Sequence, residues 1–229
     1  MIIANKWYKG SWNLEDAFRV WKYNKEFRAQ HPEYFDPDGI IVFCGAQGAG
    51  KTISAVQYVQ RLAELYPEVI VCTNIDLKLS GDVNVVPWTG VECFTDISNG
   101  YAGVIYLIDE IHLLFNSLES KKMDVTIFET ISQQRKQRKH IVGTAQVFNR
   151  VAKPFREQFK YVVACNCLFK CIQINTLLDA KHTKIEESGE VVASSVKKFF
   201  WFHTPELYAS YDTYEVVKRM RKDWEVLKC

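Results

Sequence analysis

The stretch GAQGAGKT, residues 45–52, has the residue types and the spacing that bind a nucleotide phosphate. Gly45 and Gly50 allow a tight turn whose backbone N–H groups point inward as an anion site. The apolar run IIVFC precedes this loop and a helical pattern follows it, so the loop ends at a helix N-terminus, which favours negative charge. We expect Lys51 to reach the β- and γ-phosphates of ATP and the Thr52 hydroxyl to bind Mg²⁺. The other residues of the predicted nucleotide site are Gln47, Gly48, Ala49, Ile53 and Asp109.

A second motif, VIYLIDE at residues 104–110, is an apolar run that ends in two acids. This is the Walker B pattern, in which the acids lie at the C-terminal end of a strand. We expect Asp109 to hold the Mg²⁺ shell and Glu110 to polarise the attacking water as a general base. Hydrolytic motors often have this second acid, whereas switch GTPases usually lack it. The other interpretation is that the two acids only cap a following helix.

A polar residue and a basic segment flank a later strand pattern. Gln146 closes the run HIVGTAQ, where its side chain would face the γ-phosphate from the carboxyl edge of the sheet, so we predict a sensor role for it. The segment QQRKQRKH, residues 133–140, contains five basic residues if His140 is counted. It predicts either an arginine finger for the site of a neighbouring subunit or a contact with the DNA backbone. A solvated helix end that favours cations is the alternative.

The elements that must position these residues follow from the apolar runs. Buried strands are predicted at residues 40–44, 68–74, 83–88, 103–109, 140–146 and 161–165. Helices are predicted at 13–28, with Asn13 as the N-cap, at about 51–65 and at about 124–136. Strands that are apolar on both faces and alternate with helices indicate a covered parallel sheet. The predicted fold class is therefore α/β, a P-loop NTPase three-layer sandwich with a mainly parallel sheet and a C-terminal antiparallel hairpin at about 168–202.

The composition sets broad limits on the function. The 229 residues can bury one main core, and 48% hydrophobic with 24% charged residues is close to the globular average. A net charge of +2 does not by itself indicate nucleic acid binding, which needs a local basic cluster. Seven cysteines, an odd number, fit reduced thiols in a cytosolic protein. No apolar run approaches the length of a membrane-spanning helix, so we expect no transmembrane segment and a soluble, cytoplasmic protein.

In their order along the chain, these motifs resemble the zonular occludens toxin-like proteins. That family includes the filamentous-phage assembly ATPases and belongs to the FtsK/HerA superfamily of motors. The resemblance spans roughly residues 39–216, and TNIDL and the LYxSYDT tail are its most discriminating parts. The motifs are GAQGAGKT, TNIDLKL (73–79), IYLIDE, RKQRKHIVGTAQ, an arginine ten residues after Gln146, and ELYASYDTYE (206–215).

The resemblance implies an ATPase that assembles as a ring, a hexamer, and drives phage DNA through assembly and export or into a particle. It implies that ATP and Mg²⁺ are the cofactors, with Glu110 and Gln146 as catalytic residues. Arg135, eleven residues before Gln146, and Arg156 are the implied finger residues, with Arg138 and Arg150 close by. The implied partners are further copies of the chain, phage DNA and a separate membrane or capsid protein. The last of these is implied because typical members carry a membrane helix after the ATPase domain, whereas this sequence shows no such helix.

The expected organisation is an N-terminal helical extension at 1–38, the P-loop ATPase domain at 39–216 and a tail at 217–229. One alternative function is a non-motor ATP-binding switch or regulatory protein that hydrolyses slowly and ignores DNA. A small-molecule kinase is a third reading, but the sequence shows no acceptor site. The aromatic run KKFFWF, residues 197–202, is expected to lie in the core, with stacking on single-stranded bases as the alternative.

Overall fold

The carboxyl ends of six parallel strands lie along one edge of the central sheet, and this edge positions the predicted site. The computed structural model describes residues 13–114, 131–148, 151, 153–180, 184–185, 191–192 and 195–212. The described strands are β1 (Ile40–Cys44), β2 (Ile70–Thr73), β3 (Asp76–Leu77), β4 (Asn84–Pro87), β5 (Val104–Ile108), β6 (Lys139–Ala145), β7 (Phe159–Leu168), β8 (Ile172–Asp179), β9 (Lys184–Ile185), β10 (Val191–Val192), β11 (Ser195–Phe202) and β12 (Tyr211–Asp212). The described helices are α1 (Leu14–Gln30), α2 (Lys51–Leu65), α3 (Cys93–Asp96), α4 (Lys153–Arg156) and α5 (Pro205–Ala209), with a 3₁₀ turn at Ile111–Leu113.

The central sheet has the strand order β11, β8, β7, β1, β6, β5, β2, β4. The six strands from β7 to β4 are parallel, and β8 and β11 are added antiparallel at one side. Strand β6 lies between β1, which leads into the glycine loop, and β5, which leads into Asp109. The predicted α/β class, with a mainly parallel sheet and an antiparallel hairpin, is confirmed.

Apolar side chains cover both faces of the sheet. Alternate residues of β5 point to opposite faces, so Tyr106 and Ile108 belong to one buried cluster and Ile105 and Leu107 to the other. Helix α2 closes the second cluster, and its bounds are those predicted from the sequence. This two-sided burial explains why the strands read as continuous apolar runs rather than alternating ones.

The antiparallel part of the sheet begins with a turn that has no turn signal in its sequence. Strand β7 runs to Leu168, beyond the predicted end at 165, and returns as β8. The turn between them places Phe169 and Lys170 at φ of 50° and 57°, the left-handed values of a type I′ turn. Asn and Gly usually occupy these positions, so their absence hid this hairpin. The predicted pairing of the segments at 169–182 and 191–202 is confirmed as β8 with β11.

The chain forms two compact units, residues 1–34 and 35–229. In the first unit the predicted N-terminal helix is confirmed as α1, two residues longer than expected, and the Asn13 side chain accepts a hydrogen bond of 3.0 Å from Glu15 N. No residue of α1 is buried. No helix in the described part of the chain is both long and apolar enough to span a bilayer. Of the predicted helix at about 124–136, residues 124–130 fall outside the described residues. In the described part only 131–132 are helical and 133–136 form turns, so the predicted C-terminal end of this helix is wrong. The tail at 217–229 falls entirely outside the described residues.

Candidate active site

The glycine loop joins β1 to the N-terminus of α2, as its sequence predicts. Gly48 and Gly50 have φ of 78° and 79°, values that residues with a Cβ adopt at a cost. Gly50 is the N-cap of α2, so the positive end of the helix dipole lies at the loop. Gly45 must also lack a side chain, because a Cβ there would lie 2.8 Å from the Cys165 carbonyl oxygen of β7. The loop therefore has the backbone geometry of an anion-binding site.

Lys51 and Thr52 occupy the first turn of α2. The Lys51 Nζ donates a 3.2 Å hydrogen bond to the Ala46 carbonyl oxygen, so the ammonium group lies across the loop, and only 8% of the residue is exposed. The Thr52 hydroxyl donates to Asp109 Oδ1 at 2.9 Å. This bond joins the glycine loop to the acid at the end of β5, 57 residues later in the chain. The two predicted nucleotide motifs therefore meet in one site.

Asp109 is fixed by polar side chains from the two strands that flank β5. From β6, the Thr144 hydroxyl donates to Asp109 Oδ1 at 2.7 Å. From the end of β2, the Asn74 amide makes a reciprocal pair with the Asp109 backbone, donating to its carbonyl oxygen at 3.0 Å and accepting from its N–H at 2.8 Å. Sequence reasoning did not assign Thr144 or Asn74 to the site. The available signal was their position, since each lies at the carboxyl end of a predicted strand.

Glu110 adopts a left-handed backbone conformation, with φ of 52°, immediately after Asp109. Its N–H donates to Thr144 Oγ1 at 2.9 Å, so a single hydroxyl orients both acids. Non-glycine residues in this conformation are strained, and such strain is concentrated at functional sites. The Glu110 carboxylate is about one third exposed (32%), and its Oε2 lies 3.1 Å from His112 Nδ1. The side chain is therefore partly accessible to water, as a general base requires, while its Oε2 is buried against His112.

The donor set suits Mg²⁺ bound to a nucleoside triphosphate. Mg²⁺ prefers oxygen ligands and usually keeps several waters, with one or two protein groups and substrate phosphates. The Thr52 hydroxyl and the Asp109 carboxylate are 2.9 Å apart at the mouth of the glycine loop and supply such ligands. Burial raises the pKa of the thiols of Cys44 and Cys165 to about 12.

Gln146 follows β6 directly, on the same edge of the sheet as the glycine loop. Cys44, the last residue of β1, is paired with Ala145, so Gln146 and Gly45 are the next residues of neighbouring strands. The Gln146 side chain is exposed at this edge. This placement is compatible with a contact to a γ-phosphate, and the sensor role stays a prediction.

The two finger residues lie at the other edge of the sheet. Arg135 precedes β6 and Arg156 precedes β7, whereas the site lies where these strands end. A strand of five residues spans about 16 Å. Arg135 is exposed and lines an open cleft of about 790 Å³ with residues 36–39 and 157–160. The structure therefore does not bring either arginine to the site of its own chain.

Fewer residues of the basic segment are exposed than its sequence suggests. Lys139 is 4% exposed and donates to the Phe94 carbonyl oxygen, and burial lowers its pKa. His140 is buried with Tyr58 OH 3.0 Å from its Nε2, and burial lowers its pKa to about 4. Arg138 donates to the Phe35 carbonyl oxygen. Only Arg135 and Lys136 of the five residues are exposed.

The aromatic run at 197–202 was expected to lie in the core, but it is largely exposed. Phe199, Phe200 and Phe202 are 40%, 68% and 71% exposed on β11, and only Trp201 packs against a buried cluster. The prediction that this run lies in the core is therefore wrong for the three phenylalanines. It failed because β11 is the last strand of the sheet and pairs only with β8 among the described strands.

The two most discriminating motifs contact each other. Within TNIDLKL, β3 pairs antiparallel with β12 of the ELYASYDTYE segment, with Leu77 opposite Tyr211 and Asp76 opposite Asp212. The Lys78 N–H also donates to the Ser210 carbonyl oxygen at 2.7 Å. The segment after β11 therefore pairs with β3, the strand that follows Asn74 in the sequence.

Comparison with known proteins gives a fold. No family model and no curated protein matches this sequence. The crystal structure of the N-terminal domain of zonular occludens toxin from Neisseria meningitidis is similar, with a TM-score of 0.53 and 15% identity over 76% of this chain and 98% of that one. The genome packaging NTPase B204 of Sulfolobus turreted icosahedral virus 2, in complex with ATP-γS, has a TM-score of 0.48 and 14% identity over 69% and 96%. The second likeness is too weak to argue from, but the first confirms, at the level of the fold, the resemblance expected from the motifs.

Proposed function

We propose that this chain, which shares the fold of the zonular occludens toxin N-terminal domain, is an ATP-hydrolysing motor that moves phage DNA in virion assembly, export or packaging. The observation that carries the proposal is the hydroxyl of Thr144. It fixes Asp109 beside Thr52 and fixes the backbone of Glu110, so a metal-binding acid and a water-activating acid lie side by side at the glycine loop. The DNA substrate is inferred from the motif resemblance.

Each residue of the site has a separate task in the proposed reaction. The loop N–H groups and Lys51 bind the β- and γ-phosphates, where their positive charge offsets the charge of the transferred group. Thr52 and Asp109 hold Mg²⁺, which supplies further neutralisation of phosphate charge. Glu110 accepts a proton from the attacking water, and Gln146 contacts the γ-phosphate from the end of β6.

The finger arginines act between subunits in this proposal. Arg135 and Arg156 lie at the amino edge of the sheet, so they serve the site of a neighbouring copy in a ring, which we take to be a hexamer. A trans-acting arginine typically raises phosphoryl-transfer rates by roughly 10³- to 10⁵-fold. ATP hydrolysis then depends on assembly of the ring. Because the ring assembles on DNA or on a membrane or capsid partner, ATP turnover is coupled to transport.

The second candidate function is a non-motor ATP-binding switch. One observation favours it: the described residues around Lys51 and Glu110 include no arginine that reaches the site within the same chain. Such a protein would hydrolyse ATP slowly at every concentration and would not respond to DNA.

A complementation experiment distinguishes the two functions. ATP turnover is measured against protein concentration, with and without single- and double-stranded DNA, for Glu110→Gln, for Arg135→Ala and for an equimolar mixture of the two. Lys136→Ala is the matched control, because it removes the neighbouring exposed charge.

For a ring motor, turnover of the wild-type protein rises with concentration and with DNA, and each variant alone is inactive. The mixture regains activity, because some sites then combine an intact Glu110 with an intact Arg135 from the next subunit. Arg156→Ala replaces Arg135→Ala in the same design if Arg135→Ala stays active. Flat turnover that ignores DNA, with no gain on mixing for either arginine, would leave the switch as the better account.

A further inference from the structure

The β7–β8 hairpin packs against the glycine loop. The Cys165 carbonyl oxygen of β7 occupies the space that a side chain at Gly45 would need. At the other end of the loop, the Gln173 side chain of β8 occupies the space that a Cβ at Gly50 would need. Gly45 therefore contacts the parallel strand β7, and Gly50 contacts β8, the first strand of the antiparallel addition to the sheet. Nothing in the motif itself requires that addition.

Gln173 is fully buried and makes three polar contacts. Its Nε2 lies 3.0 Å from the Ala49 carbonyl oxygen and 2.9 Å from Asn175 Oδ1. Both of these atoms only accept hydrogen bonds, so the amide nitrogen must face them and both of its hydrogens are used. The amide oxygen is left facing His203, whose Nε2 is 3.1 Å away.

The contact with Ala49 orients a group that binds phosphate. In a trans peptide the carbonyl of one residue and the N–H of the next point in opposite directions. Because Gln173 holds the Ala49 carbonyl toward β8, the N–H of Gly50 points away from β8, into the loop. Gln173 thus fixes one of the anion-binding donors directly before Lys51.

The contact with His203 fixes the start of the C-terminal segment, residues 203–212. An amide oxygen accepts, so His203 Nε2 is the donor in this contact, and the Tyr208 hydroxyl lies 2.6 Å from Nδ1, the other ring nitrogen. Burial lowers the pKa of His203, which favours the neutral ring. The Tyr208 hydroxyl also lies 3.1 Å from the Lys170 carbonyl oxygen in the β7–β8 turn.

The other end of the C-terminal segment reaches the second loop of the site. Strand β12 pairs with β3, which follows Asn74 by one residue, and the Asn74 amide is paired with the Asp109 backbone. Between these ends, Leu207 of α5 is buried in the same cluster as the apolar face of α2. The segment is therefore connected to both nucleotide loops and packs on the helix between them.

We propose that Gln173 is a positioning residue of the glycine loop and that its contact with His203 transmits nucleotide binding to the C-terminal segment. This inference rests on the proposed nucleotide site, but it does not require that the protein moves DNA. A change in the Ala49 peptide on phosphate binding shifts the Gln173 amide, and the amide shifts His203. By reciprocity, a partner that moves the C-terminal segment changes nucleotide affinity by the same factor.

Three variants separate the contacts of Gln173. Gln173→Glu keeps an oxygen toward His203 but removes the donor to Ala49 and Asn175, and Gln173→Met removes all three contacts at nearly constant length. His203→Phe removes the donor to Gln173 and leaves the Ala49 contact in place. Gln60→Met is the control, because Gln60 is a half-buried glutamine on α2 whose side chain donates to Glu64 and Ser80.

The first readout is the affinity of each full-length variant for ADP, together with KM and kcat for ATP. We expect Gln173→Glu and Gln173→Met to weaken ADP binding and to raise KM about tenfold with a smaller change in kcat, because the Gly50 N–H contacts phosphate in the ground state as well. His203→Phe and Gln60→Met should bind ADP within about twofold of the wild type. Thermal unfolding identifies any variant that fails to fold, and the two Gln173 variants provide independent chances of a folded one.

The second readout is the ¹⁹F signal of Trp201 in protein labelled with 5-fluorotryptophan, assigned with Trp201→Phe. Trp201 is opposite Gln173 in the strand pairing, and its ring centroid lies 5.0 Å from that of His203. We expect ADP to shift this signal in the wild type and in Gln60→Met, and not in His203→Phe or Gln173→Met.

The possible results separate this inference from the proposed function. Folded Gln173 variants that bind ADP like the wild type would overturn the positioning role, and a Trp201 signal that ignores ADP in the wild type would overturn the coupling. A wild type that binds ADP but shows no DNA-dependent turnover would refute only the motor. A wild type that binds no nucleotide would refute both.

Discussion

Polar residues are found at both edges of the parallel sheet, but only those at the carboxyl edge converge on one another. At the carboxyl edge, Thr52, Asn74 and Thr144 all make hydrogen bonds to Asp109 within a single chain. At the amino edge, the basic segment divides between exposed Arg135 and buried Lys139. The difference teaches that a cluster of polar residues in sequence becomes a site only where strand ends converge and their side chains can face one another.

The largest expected effect is at the carboxyl edge. Glu110→Gln should lower ATP turnover by roughly 10³-fold, because the amide cannot accept the proton of the attacking water. Nucleotide affinity, measured with ADP, should change little. Glu92→Gln, a substitution at the N-cap of α3 away from the site, is the matched control. Turnover within about threefold of wild type in Glu110→Gln would remove the second acid from the mechanism.

The second prediction concerns His140 at the start of β6. Its folded pKa of about 4 lies below the usual value of 6.5, mainly through burial, with the Gly39 carbonyl and Asp38 opposing the shift. The unfolded chain therefore binds the proton first as pH falls. The free energy of unfolding should decrease between pH 6.5 and 4 by about 3 kcal/mol from this residue.

Urea unfolding of wild type and His140→Gln at several pH values measures this contribution. The difference between the two proteins should shrink as pH falls from 6.5 to 4 and be constant above pH 7. Parallel pH profiles would show that the His140 pKa is not depressed in the folded protein.

The third prediction separates the members of the basic segment. Lys139→Met should lower the free energy of unfolding by about 2 kcal/mol, because the Phe94 carbonyl oxygen loses its buried donor. Lys136→Met, three residues earlier and exposed, should change it by less than about 0.5 kcal/mol. Equal values for the two lysines in urea unfolding would contradict the division of this segment into core and surface.

The fourth prediction tests the hydroxyl that orients both acids. Thr144→Val keeps the shape of the side chain but loses the bonds to Asp109 and to the Glu110 N–H. We expect turnover to fall about tenfold, as loss of one or two hydrogen bonds implies. Thr176→Val on β8, a half-buried strand threonine outside the site, serves as the reference, and an equal effect in both variants would argue against a specific role for Thr144.

The smallest expected effect is at the amino edge. In dilute protein, Arg135→Ala should leave ADP affinity within about twofold of wild type, because the side chain lies about a strand length from the glycine loop. Titration of a fluorescent ADP analogue measures this. A tenfold loss of affinity at low protein concentration would mean that Arg135 acts in its own chain.

The sequence predicted those parts of the fold and site that depend on neighbours along the chain. The apolar runs predicted the parallel strands, and α2 was predicted with its observed bounds because a glycine loop and a helical pattern define both ends. The β7–β8 turn was missed because Phe169 and Lys170 carry no turn signal. The aromatic run was assigned to the core because its composition does not reveal that β11 is at the side of the sheet.

The sequence by itself determined the fold class, the glycine loop and the order Asp109–Glu110, because each depends on residue types at short spacing. Only the tertiary structure decided that Thr144 and Asn74 bond to Asp109, that Gln173 bonds to the Ala49 carbonyl oxygen, and that Arg135 and Arg156 lie at the edge of the sheet opposite these residues. The contacts of Thr144, Asn74 and Gln173 with Asp109, Glu110 and Ala49 join positions 34 or more residues apart. Such contacts depend on which strands become neighbours in the sheet, and the spacing within any one motif contains no information about that order.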